Sequence, residues 1–117
     1  MAELSNEDVM TFLFYAAGQK SGSMTIRKLS EKLLEARRKN LPTGTIPLRP
    51  VPEGYYSEYI AEHAALLLDG GLARRRSPFV ITPKGNEVLS QDISEIRQRN
   101  EQQANAWLAF LGINASR

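Results

Sequence analysis

Three consecutive arginines, Arg74, Arg75 and Arg76, are the densest chemistry in this sequence. Guanidinium groups bind phosphate oxygens bidentately, and the same run can equally form a solvated, charge-balanced surface. Further cations, Arg38, Lys39 and Arg49, lie upstream. With Arg37 they can extend a basic surface or neutralise the carboxyl end of a helix. Tyr55, Tyr56 and Ser57 offer hydrogen-bonding side chains at what reads as a helix start. His63 is the single histidine. It falls on an apolar helical face and is expected to be a core side chain rather than a ligand or switch.

Catalytic chemistry is otherwise poorly supplied. The chain has no cysteine, which excludes disulfides, a thiol nucleophile and cysteine metal sites. One histidine excludes two-histidine zinc motifs, and no phosphate-cradling loop, dinucleotide fingerprint, nucleophile elbow or paired-carboxylate constellation occurs. No enzyme activity, metal or cofactor is expected. The 117 residues, 42% hydrophobic and 24% charged, have the profile of one globular domain. A net charge of +2 is too small to announce a polyanionic partner, so a basic surface depends on charge distribution. No apolar run approaches a membrane span and the opening MAELSNEDVM is acidic, unlike a secretory signal, so a cytoplasmic protein with no membrane partner is expected.

The elements that must position these groups follow from periodicity. Val9, Phe12, Leu13, Ala16 and Ala17 line one face of a helix from Asn6 to Ala17, capped by Ser5 or Asn6 and closed at Gly18. Ile26, Leu29, Leu33 and Leu34 predict a second helix from Ser23 or Thr25 to about Lys39, with Met24 in a short strand contact before it. Residues 41–54 hold Pro42, Pro47, Pro50 and Pro52, which rule against helix and suggest a functional arm or excursion. Tyr56, Tyr59, Ile60, His63, Ala64, Leu67 and Leu68 mark a third helix from about Tyr55 to Asp69, ended by Gly70 and Gly71. Leu72 to Arg75 and Phe79 to Thr82 read as a hairpin about Arg76, Ser77 and Pro78, with Thr82 and Pro83 opening the next helix.

A last helical stretch is expected from Lys84 to Leu111, with a candidate break near Gln91 where Asp92 and Glu95 offer a capping box. The C-terminal helix would then cover about 92–112. Leu89, Ile93, Ile96, Asn100, Gln103, Trp107 and Leu111, with Leu108 beside them, approximate a heptad seam. That seam is a candidate dimerisation surface; the alternative is a terminal helix folded back on its own domain.

This order, helix, helix, helix, hairpin, helix, resembles a winged helix-turn-helix domain with an additional C-terminal helix. The class is mainly α with a small β-hairpin wing. The resemblance is sharpest in YIAEHAALLLDGGLARRRSPFVITPKGNEVL, where Gly-Leu after a Leu-rich helix, a basic hairpin and Thr-x-x-Gly-x-x-x-Leu follow as in small bacterial and phage winged-helix proteins and MarR-like and PadR-like regulators. It covers about a quarter of the chain. The arm at 41–54 departs from the usual short turn between the two helices.

The resemblance implies a DNA-binding transcriptional regulator, and the seam would make it a homodimer. Arg74, Arg75 and Arg76 would grip phosphates or enter a minor groove, with Tyr55, Tyr56, Ser57, Arg49, Arg38 and Lys39 as further contacts to double-stranded DNA. The third helix carries Glu58, Glu62 and Asp69 and no base. That pattern supports a different reading, a winged-helix interaction module, such as a phage or mobile-element accessory or inhibitor protein, that binds a host protein through its acidic third helix and tyrosines.

Overall fold

A computed structural model describes residues 3–19, 25–74 and 80–113. The protein is mainly helical, in the order α1 (Asn6–Gln19), α2 (Ile26–Arg38), β1 (Arg49–Val51), β2 (Gly54–Tyr56), α3 (Glu58–Asp69), β3 (Ala73–Arg74), β4 (Val80–Ile81), α4 (Pro83–Arg99) and α5 (Glu101–Leu111). The strands form two separate antiparallel hairpins, β1 with β2 and β3 with β4. No helix among the described residues is long and apolar enough to cross a membrane.

Helix α1 is the centre of the core. Val9, Met10, Phe12, Leu13 and Phe14 are all fully buried, which wraps apolar surface around most of the cylinder instead of along one stripe. Its start is a reciprocal capping box. The Asp8 amide donates to Ser5 Oγ and the Ser5 amide to Asp8 Oδ2, each at 3.1 Å. The helix does not close at Gly18 but runs through it to Gln19. A Cβ at Gly18 would lie 2.1 Å from Asn86 Oδ1, so the glycine there permits close approach of α4.

Helix α2 has the expected stripe, with Thr25 Oγ1 as its cap accepting from the Lys28 amide at 3.1 Å. Leu29, Leu33 and Ala36 are buried, whereas Leu34 is half-buried. The segment at 41–54 is free of helix, as its prolines require, but it is not an irregular arm throughout. Arg49 pairs with Tyr56, Pro50 with Tyr55 and Val51 with Gly54. Proline is tolerated there because a two-stranded hairpin has edges whose amides need no partner. The rest of the segment is tied down. Arg37 donates to Thr43 Oγ1 at 2.9 Å and to the Ile46 carbonyl at 2.7 Å, and Trp107 Nε1 donates to the Pro42 carbonyl at 2.8 Å.

Tyr55 and Tyr56 therefore belong to a strand, and the third helix starts later than its apolar pattern suggests. Ser57 is its cap: its Oγ accepts from the Ile60 amide at 3.1 Å, and its own amide donates to Ser30 Oγ at 3.0 Å. The C-terminal stretch also differs from expectation. The break comes at Asn100, not near Gln91, and Asp92 lies inside α4. Asn100 Oδ1 accepts from the Gln103 amide at 3.2 Å, while Gln103 Oε1 accepts from the Leu4 amide at 3.1 Å. The two polar members of the supposed seam are thus a helix cap and a tether.

The seam itself is internal. Leu89, Ile93, Ile96, Trp107 and Leu108 are at most 6% exposed within this single chain, and Leu111 packs against the same core. Trp107 stacks on Phe12 with ring centroids 5.9 Å apart. The break at Asn100 turns α5 back onto α1, so those side chains fill the chain's own core. The fold-back alternative describes the structure.

Candidate interaction surface

Helix α3 presents three distinct faces. Ile60, Ala64 and Leu67 are buried in the core. Ala61, Ala65 and Leu68 are half-buried and line a groove. Glu58, Glu62, Leu66 and Asp69, spaced by four, four and three, form the solvent face. Leu66 is 66% exposed, the more exposed of the two large apolar side chains that stand out among the described residues; the other is Val80 at 42%.

Two ion pairs clamp the β1–β2 hairpin to its neighbouring helices. Arg27 of α2 bonds Glu53 at the hairpin turn. Arg49 of β1 bonds Glu58 at the start of α3, with Nη2 2.6 Å and Nε 3.0 Å from the same carboxylate oxygen. Hydrogen bonding to Arg49 holds the Glu58 carboxyl below the usual glutamate range, and the same bond raises the Arg49 guanidinium. The Arg49 guanidinium also lies 5.5 Å from the Tyr56 ring centroid. Its charge is directed to protein groups.

Between the N-terminal end of α2, the hairpin and α3 opens a groove of about 580 Å³. Its apolar lining comes from Ile26, Val51, Ala61, Ala65 and Leu68, with Tyr56 beside them and the Arg27–Glu53 pair at its edge. Tyr59, on the next turn of α3, is packed partly against the core, and burial raises its hydroxyl above the ordinary tyrosine value. His63 meets Phe14 with tilted rings whose centroids are 5.3 Å apart, and burial lowers its imidazole from the usual range. Its neighbours are those of a packing histidine.

The described cations singled out in the sequence sit on separate elements. Arg74 is exposed on β3 opposite Val80, and no ion pair among the described residues involves it. Arg75 and Arg76 lie outside the described residues, as do Met24, Ser77, Pro78 and Phe79. Arg38 is exposed at the end of α2, and Lys39 approaches the Phe110 ring at 6.0 Å. Ser57 is fully buried, with its Oγ capping α3 and its amide donating to Ser30 of α2, so it offers nothing to a partner. Tyr55 and Tyr56 are half-buried on the hairpin.

Sequence reasoning missed the Arg27–Glu53 and Arg49–Glu58 pairs and the groove between them. The pairs join residues 26 and 9 positions apart, outside any local spacing rule. The stripe through Leu67 and Leu68, by contrast, already left Leu66 on the side facing water. Comparison of the chain with protein-family models, with curated proteins and with solved structures finds no match.

Proposed function

We propose that this protein is a winged-helix-like interaction module that binds another protein through the solvent face of α3. The observation that carries this reading is the composition of that face: three carboxylates and an exposed leucine, with no lysine or arginine on the helix. A helix that enters a nucleic-acid groove must approach phosphates, and carboxylates there are repelled while releasing no counterions. A protein surface with an apolar centre and charged rim has no such conflict. Helices α2 and α3 and the β3–β4 hairpin occur in the order used by winged-helix domains, with the β1–β2 hairpin inserted between α2 and α3, which supports the fold analogy without deciding the partner.

The exposed Arg74 on β3 supports a second reading, a DNA-binding regulator that holds phosphates with its wing. Titrating the protein into duplex DNA across a salt series separates the two. Absence of duplex binding at low ionic strength supports the protein-contact reading. Binding that weakens steeply with salt, with the slope flattened in Arg74→Ala, overturns it in favour of DNA.

A further inference from the structure

We infer that the groove beside α3 is the seat of a basic amphipathic helix supplied by the partner protein. This rests on the protein-contact reading above and names the chemistry of what is bound. Three features converge on one occupant. The groove floor is built from alanines at 61, 64 and 65 with Leu68 at one end, and small residues let a second helix approach closely while still removing apolar surface from water. Its volume of about 580 Å³ leaves room for protruding side chains of an incoming helix.

Charge then selects the sign of the partner. The groove and the adjoining solvent face of α3 carry Glu53, Glu58, Glu62 and Asp69 against Arg27 and Arg49. Arg27 and Arg49 are each engaged with one carboxylate, which leaves Glu62 and Asp69 outside the ion pairs found among the described residues. An occupant with leucine-like side chains on one face and lysine or arginine along its flank would bury the first against Ala61, Ala65 and Leu68. It would place the second against Asp69 and Glu62, which follow the groove residues around the helix, with Leu66 on their far side.

The test uses synthetic peptides and the intact chain. A Leu/Lys amphipathic helix, a Lys-only peptide of equal charge and a Leu/Glu counterpart are titrated while binding is followed by fluorescence anisotropy and by the methyl resonances of Ala61 and Ala65. The expected result is binding of the Leu/Lys helix with displacement of both methyl resonances, and at least about tenfold weaker binding of the other two peptides. Ala65→Met, which fills the groove, weakens the Leu/Lys helix about tenfold, with the melting transition checked for an intact fold. The wild-type methyl shifts need no variant at all.

Equal binding of the Lys-only peptide, or unmoved alanine methyls, overturns the groove assignment. If Glu62→Lys with Asp69→Lys abolishes binding while Ala65→Met does not, the groove is wrong and contact through α3 stands. If no peptide binds the wild-type chain, the inference fails and the protein-contact reading is decided by the duplex titration.

Discussion

Arg49 and Glu58 meet at 2.6 Å across the junction between strand β1 and helix α3. The contact directs an exposed cation beside α3 onto that helix's first carboxylate. It explains why a basic residue in a proline-rich segment does not make the neighbouring surface basic. Both groups are exposed, so the pair contributes little to stability and is weakened by salt. Its consequence is local titration. In wild-type protein the Glu58 carboxyl titrates below the ordinary glutamate range, and in Arg49→Gln it moves back up, as followed by carbon-detected NMR. An unchanged Glu58 titration in that variant would show the contact to be absent in solution.

Trp107 joins three parts of the chain through Phe12, Phe110 and the Pro42 carbonyl. Trp107→Ala removes the stack and leaves a cavity, and is expected to cost about 3–5 kcal/mol. Against a total stability of order 5–15 kcal/mol, this places the variant near unfolding. Trp107→Phe retains a ring but orphans the Pro42 carbonyl, with an expected loss of about 1–3 kcal/mol. Urea denaturation of the two variants checks the order.

Gly85 is a packing requirement at the base of the β3–β4 hairpin. An added Cβ would lie 2.0 Å from the Leu72 carbonyl oxygen and 2.8 Å from Ile81 Cγ2. The first neighbour is backbone and cannot swing aside. Gly85→Ala should destabilise by about 1–3 kcal/mol, in spite of alanine's better helix propensity. Hydrogen exchange should show the loss first at Thr82, whose amide bonds the Leu72 carbonyl at 3.0 Å. A variant at least as stable as wild type would refute this account.

Two titrating groups push stability in opposite directions as pH falls. Burial holds the His63 imidazole below its ordinary value of 6.5. The unfolded chain therefore binds a proton first, and stability present above pH 6.5 is lost as pH drops through the folded value. Asp92 is raised above its ordinary 3.8 by burial and by the carboxylates of Glu95 and Asp8. Here the folded chain binds the proton first, so protonation on the way down toward 3.8 adds stability. His63→Leu should flatten the loss just below pH 6.5, and Asp92→Asn should remove the gain at lower pH. Denaturation midpoints measured across this range separate the two.

Local chemistry made much of the architecture legible. Thr25, Thr82 and Ser5 cap helices because their hydroxyls reach amides three positions ahead, a relation contained within one turn. The order of helices, the β3–β4 hairpin and the absence of helix at 41–54 follow from the same short-range rules. The acidity of α3 was equally readable, since Glu58, Glu62 and Asp69 sit on one helix.

Short-range rules misplace features that depend on distant partners. The apolar seam from Leu89 to Leu111 has a helical period whether it faces a second chain or its own core. Asn100 decides the matter by ending α4 and turning Trp107 onto Phe12. Tyr55 and Tyr56 continue the helical pattern of α3, yet pairing with Arg49 and Pro50 draws them into a strand.

By itself the sequence determined the helices and their order, the β3–β4 hairpin and the charge each helix carries, because caps and periods act over a few residues, but not the β1–β2 hairpin or the break at Asn100. Tertiary structure alone decided that Arg49 is turned onto Glu58 and that a groove opens beside Ala61 and Ala65. Each of these is a contact or an exposure set by elements far apart in the chain. No local preference specifies such a contact until the core around α1 brings the elements together.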